Sequence, residues 1–230
     1  MRADPDPDAY RATWTRAYRD LNYRSAAGFF MRRGHILLER GFDETFQFGK
    51  VLEVGTGPGT HFPYVRHRYG EYWMTDSSPE MLDLAKMTAH DQAARVHFSC
   101  EDACRLSFPD RSFDRLIAAH VLEHLPNPHE VLREWVRVLV PGGTLSLLLP
   151  CDPGLTWRLA RCFGPRRSAI RRGIDYDYWM AREHINSIYN LRTLIRFYFS
   201  EVTESWWPTH LAVPDANAYY AANVTAADDA

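Results

Sequence analysis

The feature that most constrains this sequence is a glycine-rich turn that directly follows a short apolar run. Residues 51–60 read VLEVGTGPGT, with glycine at positions 55, 57 and 59. Glycine has no Cβ, so it permits a tight turn and a close approach of a ligand to the backbone. The segment therefore predicts a buried strand that ends in a ligand-binding turn.

Short apolar runs and helical patterns alternate along the rest of the chain. The predicted strands are 51–54, 72–75, 96–99, 116–119 and 145–149. Helices are expected to begin after Ser78 and after Asn127, where a capping residue precedes proline. The second of these helices should stop at Pro141-Gly142-Gly143, with the next strand starting at Thr144. This order predicts a parallel sheet whose ligands bind at the carboxyl ends of the strands.

The charge and the cysteine content argue against several classes of protein. The chain has 230 residues, a formal net charge of −2 and four cysteines, none of them in a CxxC pair. A nearly neutral chain has no overall electrostatic attraction to nucleic acid, so no nucleic-acid partner is expected. No apolar run approaches the roughly 18 residues needed to cross a bilayer. The cysteines predict reduced thiols in the cytoplasm, and no metal site is expected.

Acidic residues are expected at the carboxyl ends of the first three predicted strands. They are Glu53, Asp76 and Asp102. Asp76 follows Gly55 by 21 residues, a position from which a carboxylate can accept hydrogen bonds from both hydroxyls of a ribose. Glu53 suits an ammonium group better than a pyrophosphate, and Thr60 stands where a dinucleotide fingerprint has glycine. The pattern indicates adenosine attached to an amino acid.

These motifs together resemble those of class I S-adenosylmethionine-dependent methyltransferases, in the small-molecule group called type 11. The resemblance covers residues 45–150 and is carried by EVGTGPG (53–59), TDSSPEML (75–82), EDA (101–103), FDRLIAAHVLEHLP (113–126) and RVLVPGG (137–143). It implies an α/β fold with a Rossmann-like, doubly wound, seven-stranded, mostly parallel sheet and an N-terminal helical cap. It also implies an enzyme that uses S-adenosylmethionine and releases S-adenosylhomocysteine.

The resemblance further implies which residues hold the cofactor. Glu53 and the glycine-rich turn would hold the methionine part, Asp76 the ribose and Asp102 the adenine. The full implied set is Glu53, Gly55, Thr56, Gly57, Gly59, Asp76, Ser77, Met81, Asp102, Ala103 and His120, with His120 beside the sulfonium.

The candidate catalytic residues are His120 and His184. His120 ends the fourth predicted strand, and His184 lies in the segment expected to close the acceptor side. Imidazole is the commonest general base near neutral pH. A cofactor contact for His120 and a structural hydrogen bond for His184 are the alternative interpretations.

Aromatic and basic residues are expected to bind the acceptor. The candidates are Tyr18, Tyr23, Arg158, Tyr176, Tyr178, Trp179 and His184, and packing in the core is the alternative for the aromatic rings. Six arginines lie within residues 158–172, among apolar side chains. Such a stretch fits a phosphate-bearing acceptor, an anionic membrane surface or a solvated helix face.

The chain is interpreted as one domain overall. Its expected parts are a leader and helical cap (1–48), a cofactor-binding core (49–150), an arginine-rich acceptor-side insertion (151–189) and a C-terminal completion of the sheet (190–230). The predicted function is methyl transfer to oxygen or nitrogen of a small-molecule acceptor, which is a metabolite, natural-product or saccharide intermediate. The alternatives are an anionic lipid-linked or envelope saccharide at the membrane surface, a non-catalytic cofactor-binding protein, an aminopropyl transferase and an NAD-dependent dehydrogenase. Peripheral membrane contact and a homodimer stay open.

Overall fold

The computed structural model describes residues 4–6, 13, 26–90, 94–163 and 165–227. Its strands are β1 (Gln47–Val54), β2 (Arg68–Asp76), β3 (Val96–Cys100), β4 (Phe113–Ala119), β5 (Leu139–Pro150), β6 (Val202–Trp207) and β7 (Tyr219–Thr225). They form one sheet in the order β3-β2-β1-β4-β5-β7-β6. Strands β1 to β5 are parallel, and β7 runs antiparallel to β5 and β6. The prediction of a seven-stranded, mostly parallel sheet is confirmed.

Seven α-helices lie within the described residues. They are α1 (Ala26–Glu39), α2 (Pro79–Thr88), α3 (Pro128–Arg137), α4 (Leu155–Phe163), α5 (Pro165–Arg171), α6 (Tyr176–Glu183) and α7 (Ile188–Tyr198). Helix α2 begins as predicted, because the Ser78 hydroxyl accepts a hydrogen bond from the Met81 N–H. Helix α3 also begins at the predicted proline, but Asn127 has a φ of 49° and its side chain makes no capping hydrogen bond. Among these described helices, none is sufficiently long and apolar to span a bilayer.

Strand β5 starts earlier than predicted. It begins at Leu139 rather than at Thr144, so Pro141-Gly142-Gly143 lies inside the strand. The register between β4 and β5 shifts next to this segment, and Gly142 donates its N–H to the carbonyl of Ala226. An irregularity of this kind accommodates proline, which has no N–H for a strand ladder. Helix α3 ends at Arg137, before this segment, so the predicted helix stop at Pro141-Gly142-Gly143 was too late.

Both faces of the sheet are covered by helices. Leu52 and Leu116 belong to a core that includes residues of α3 and α7, whereas Val51 and Ile117 belong to a core that includes residues of α1 and α2. Burial on both faces explains why the centres of β1 and β4 are mostly apolar. The carboxyl ends of the parallel strands meet at one edge of the sheet, where the candidate site lies.

Candidate active site

The glycine-rich turn after β1 is closely packed at two of its glycines and open at the third. Gly55, Gly57 and Gly59 have φ angles of 63°, 53° and 74°, where side chains of L residues are strained. A Cβ on Gly55 would lie 2.5 Å from Cγ2 of Val121, and one on Gly59 would lie 3.0 Å from Cε of Met74. A Cβ on Gly57 would have no neighbour within 4 Å. The backbone is therefore accessible at Gly57.

Glu53 is a buried carboxylate next to this turn. It accepts a hydrogen bond of 2.6 Å from the Tyr72 hydroxyl and one of 3.0 Å from the Thr56 hydroxyl. Burial raises the pKa of Glu53, and the nearby His61 and the two hydrogen bonds partly offset this effect. A carboxylate held in this way is suited to receive a cationic group.

Asp76 ends β2 and connects that strand to the turn. Its Oδ2 accepts the N–H of Gly57 at 2.8 Å, and its Oδ1 accepts the N–H of Ser78 at 2.9 Å. Burial raises the pKa of Asp76, and these hydrogen bonds partly offset the rise. Ser77 beside it is exposed, and Met81 is half-buried in the first turn of α2.

Asp102 and Ala103 occupy the turn after β3. Asp102 is exposed, and its Oδ1 accepts the N–H of Cys104 at 2.8 Å. The carbonyl of Ala103 accepts a hydrogen bond of 2.9 Å from the indole of Trp135 on α3. Glu53, Asp76 and Asp102 thus lie at the carboxyl ends of three adjacent strands.

His120 directly follows β4 in a left-handed conformation. Its φ is 61°, and its N–H donates to the carbonyl of Leu148 on β5 at 2.9 Å. Its Nδ1 lies 3.5 Å from Oε1 of the buried Glu123, and its Nε2 is buried without a hydrogen-bond partner. The ring packs edge-on against Tyr219 with 5.4 Å between centroids. Backbone strain and an orphaned polar atom at one residue are typical of a functional position.

His184 follows α6 and contacts an acidic residue at the end of β5. Its Nδ1 lies 2.9 Å from Oδ2 of Asp152, and Nη1 of Arg161 lies 3.4 Å from the same oxygen. Burial acts to raise the pKa of Asp152, but His184 and Arg161 hold it below its usual value. The ring of His184 packs edge-on against that of His124 at 4.7 Å.

The other candidate acceptor residues are not gathered in one place. Arg158 is exposed on α4, whereas Tyr176 and Trp179 are buried in a small core of the insertion, against which Tyr178 packs. This burial favours the packing alternative for the three rings. Tyr18 and Tyr23 lie outside the described residues.

A buried polar network that the sequence analysis missed connects α1 with the segment after the turn. Arg115 on β4 donates to both oxygens of Glu39 at 3.0 and 2.7 Å. Nε2 of His61 lies 3.1 Å from Oε1 of Glu39, and Nδ1 of His61 lies 3.1 Å from Nδ1 of His35. Burial acts to raise the pKa of Glu39, but Arg115 and His61 lower it to about 2. The available signal was the arginine directly before the apolar run of the fourth predicted strand.

Asp152 was missed as well, although its position offered a signal. It comes two residues after β5, and ligand-binding residues of parallel sheets gather at such strand ends.

Comparison with known proteins finds methyltransferases that are similar to part of this chain. Residues 52–147 match the model of a family described as a methyltransferase domain. A demethylmenaquinone methyltransferase from Deinococcus radiodurans is 37% identical over 101 residues, which are 43% of this chain and 42% of the relative. The chain thus spans about two-fifths of the length of the curated relatives that it matches first.

Solved structures share the fold at low sequence identity. N-methyltransferase NodS from Bradyrhizobium japonicum, in complex with S-adenosylhomocysteine, has a TM-score of 0.57 at 17% identity and covers 85% of this chain and 86% of its own. The CurJ carbon methyltransferase has a TM-score of 0.62 at 18% identity, and the match covers 96% of this chain and 59% of the CurJ chain. The described part of this chain therefore has the fold of class I methyltransferases, and residues 52–147 are similar to a methyltransferase domain.

Proposed function

We propose that this chain transfers the methyl group of S-adenosylmethionine to a small-molecule acceptor. The observation that carries the proposal is the set of three acidic residues, Glu53, Asp76 and Asp102, at the ends of adjacent strands beside a glycine-rich turn. No single one of them is specific, but their combination matches the separate needs of an amino-acid group, a ribose and an adenine.

The donor chemistry fits this cofactor. Glu53 would accept hydrogen bonds from the ammonium group, Asp76 from the ribose hydroxyls and Asp102 from the adenine amino group. The accessible backbone at Gly57 allows a close approach. The rest of the proposed pocket consists of Gly55, Thr56, Gly59, Ser77, Met81, Ala103 and His120. When bound, the cofactor supplies a methyl group that is activated by positively charged sulfur.

The contribution of the protein itself would be alignment of the acceptor and exclusion of water. Alignment of this kind is worth up to ~7–11 kcal/mol of the barrier. The proposed acceptor site lies among His120, Tyr219, Trp157 and His184. Tyr219 lies between two of these rings, with its centroid 5.4 Å from that of His120 and 5.6 Å from that of Trp157. His120 and His184 are the proposed catalytic histidines, and oxygen or nitrogen is the proposed acceptor atom.

Titration calorimetry with S-adenosylmethionine, S-adenosylhomocysteine and NAD tests this proposal. We expect saturable binding of both sulfur compounds and none of NAD. Binding of NAD alone would favour a dehydrogenase. Binding of the sulfur compounds without methyl transfer to any member of a broad acceptor panel would favour a non-catalytic binding protein.

A membrane-surface acceptor is the second candidate, and helices α4 and α5 favour it. Leu155 and Leu159 are 58% and 50% exposed, Ile170 is 49% exposed, and Arg158 and Arg171 near them are exposed. Exposed apolar side chains flanked by arginines fit the surface of an anionic bilayer. The methyl acceptor would then be an anionic lipid-linked or envelope saccharide at that surface.

Co-sedimentation with vesicles tests this second candidate. The wild type should bind phosphatidylglycerol vesicles and not phosphatidylcholine vesicles. Leu159→Ser should weaken the binding severalfold and leave the affinity for S-adenosylmethionine unchanged. Equal binding to both vesicle types, or to neither, would leave a soluble small molecule as the acceptor. A cytoplasmic location and a homodimer stay predictions.

A further inference from the structure

Polar side chains from four separate parts of the chain meet at the carboxyl ends of β4 and β5. Together they form what we term the acceptor-side cluster: His120, Glu123, His124, Asp152, Trp157, Arg161 and His184. Five of its polar atoms are buried without an aligned hydrogen-bond partner: Nε2 of His120, Oε2 of Glu123, Nε1 of Trp157, Nε of Arg161 and Nδ1 of His184. Native structures satisfy almost all buried polar atoms, so such a concentration points to a site that handles a polar group or a proton.

The closest charged contact in this cluster joins Asp152 to His184. Oδ2 of Asp152 lies 2.9 Å from Nδ1 of His184, and the two side chains are only 15% and 12% exposed. Backbone contacts hold both residues, since the Asp152 carbonyl accepts the N–H of Ile188 and the N–H of His184 donates to the carbonyl of Met180. The pair is therefore fixed between the end of β5 and the end of α6.

This contact acts on Nδ1 of His184 through charge at ion-pair distance, because Nδ1 makes no aligned hydrogen bond. The negative charge of a carboxylate 2.9 Å from Nδ1 favours the neutral tautomer that carries its proton on that nitrogen, and this leaves a lone pair on Nε2. The same carboxylate stabilises the imidazolium that forms when Nε2 takes up a proton. Both effects are those that a general base requires.

The charged and titratable groups around the pair come from three elements. Arg161 on α4 lies 3.4 Å from Asp152, with its guanidinium 5.8 Å from the ring centre of Tyr176 on α6. In the turn after β4, Nε2 of His124 lies 3.8 Å from Oε1 of Glu123. Arg161 offsets part of the charge of Asp152, while the buried Glu123 supplies a second carboxylate on the far side of His124.

We infer that His184 removes the proton from a hydroxyl acceptor during methyl transfer, and that Asp152 positions His184 for this step. The inference rests on the proposed function and narrows its substrate class to hydroxyl compounds, of which phenols and enols ionise most easily. His184 is the catalytic residue of the pair, and Asp152 is a positioning residue.

The step balances without a further reactant. The O–H bond of the acceptor breaks, and its proton goes to Nε2 of His184. The oxygen forms a bond to the methyl carbon, and the bond from that carbon to sulfur breaks with its electron pair remaining on sulfur. The products are a methyl ether, a neutral thioether and an imidazolium, which returns its proton to solvent.

The first test measures the tautomer of His184 and needs no acceptor. Long-range ¹H–¹⁵N NMR of the imidazole groups at alkaline pH distinguishes the two neutral tautomers, and His184→Gln assigns the signal. We expect the Nδ1–H form in the wild type and a shift toward the Nε2–H form in Asp152→Asn. Asp177→Asn, an exposed aspartate in the same insertion, should leave the signal unchanged. An Nε2–H tautomer in the wild type would overturn the inference.

The second test measures methyl transfer to a panel of phenols, enols, amines and thiols, followed by release of S-adenosylhomocysteine. With a hydroxyl acceptor, His184→Gln should lower kcat by ~10²–10⁴-fold and Asp152→Asn by at least about tenfold, each with KM changed less than about threefold. Asp152→Glu should restore part of the rate, and Asp177→Asn should match the wild type. Methyl transfer to amines alone, or an unchanged kcat in Asp152→Asn, would overturn the inference.

Different results would contradict the proposed function and the role of His184. If the protein binds S-adenosylmethionine but His184 carries its proton on Nε2, the proposed function stands and the roles of Asp152 and His184 are contradicted. If S-adenosylmethionine does not bind, the proposed function falls whatever the tautomer of His184.

Discussion

Gly57 donates its backbone N–H to Oδ2 of Asp76 across 2.8 Å, so the open residue of the glycine-rich turn and the acidic residue that ends β2 hold each other in place. Asp76, the proposed ligand of the ribose, thus also supports the glycine-rich turn, which is proposed to bind the methionine part. Changes at this pair should therefore affect cofactor binding more than they affect folding.

Asp76→Ala should weaken the binding of S-adenosylmethionine by tens-fold and leave the fold intact. The substitution removes the proposed ribose acceptor and the support of Gly57, and the loss of one charged hydrogen bond to the ligand, about 1.5–3 kcal/mol, corresponds to roughly ten- to 150-fold in the dissociation constant. Calorimetry measures the dissociation constant, and circular dichroism checks the fold. Asp83→Ala, an exposed aspartate on α2, is the matched control. An unchanged dissociation constant for Asp76→Ala would contradict the ribose assignment.

Alanine at Gly55 should destabilise the protein far more than alanine at Gly57. Both positions have positive φ, which costs about 1 kcal/mol for a non-glycine residue. Only Gly55 would also bring a Cβ to 2.5 Å from Val121. Thermal unfolding should show a drop of several degrees for Gly57→Ala and a clearly larger one for Gly55→Ala. Equal shifts would mean that the turn relaxes away from Val121.

Loss of the buried ion pair between Arg115 and Glu39 should lower the free energy of unfolding substantially. Arg115→Met leaves the Glu39 carboxylate buried without its main partner, which costs about 3–5 kcal/mol. Arg166→Met removes an exposed pair with Asp177 and should cost less than about 1 kcal/mol. Urea unfolding of both variants measures the free energy of unfolding. A similar small loss in the two variants would show that the buried pair contributes little.

The free energy of unfolding should fall as the pH falls from about 6.5 toward 4, in part because of His67. Burial and the charge of Arg115 lower the pKa of His67 to about 4. Between that value and the unfolded value of about 6.5, the unfolded chain binds a proton that the folded chain does not. The loss attributable to this residue is on the order of 3 kcal/mol.

Urea unfolding across this pH range measures the effect of His67. His67→Gln should flatten the dependence, and His129→Gln, at a half-exposed position on α3, should retain the slope of the wild type. The same slope in His67→Gln would assign the effect to other buried groups.

Much of the sheet and of the cofactor side could be predicted from local patterns. The apolar runs around Val51 and Leu116 form strands in a parallel sheet. Because both faces of such a sheet are buried, consecutive residues of its central strands are apolar. Ser78 followed by Pro79 marks the start of α2 for a similarly local reason. The acidic residues at the ends of the first three strands follow from the strand pattern itself. The start of β5 was predicted too late, at Thr144 rather than Leu139, because a proline inside a strand is tolerated only where its pairing is irregular.

The acceptor side depended on the tertiary structure. Asp152 and His184 are separated along the chain and meet only because α6 returns to the end of β5. Arg115 and Glu39 come from a strand and a helix whose contact depends on how α1 packs. Local sequence determined the strands, the turn and the cofactor-side carboxylates, because each depends on the residues beside it. Only tertiary packing decided which buried charges are paired and which histidine lies next to a carboxylate, because those contacts join distant segments.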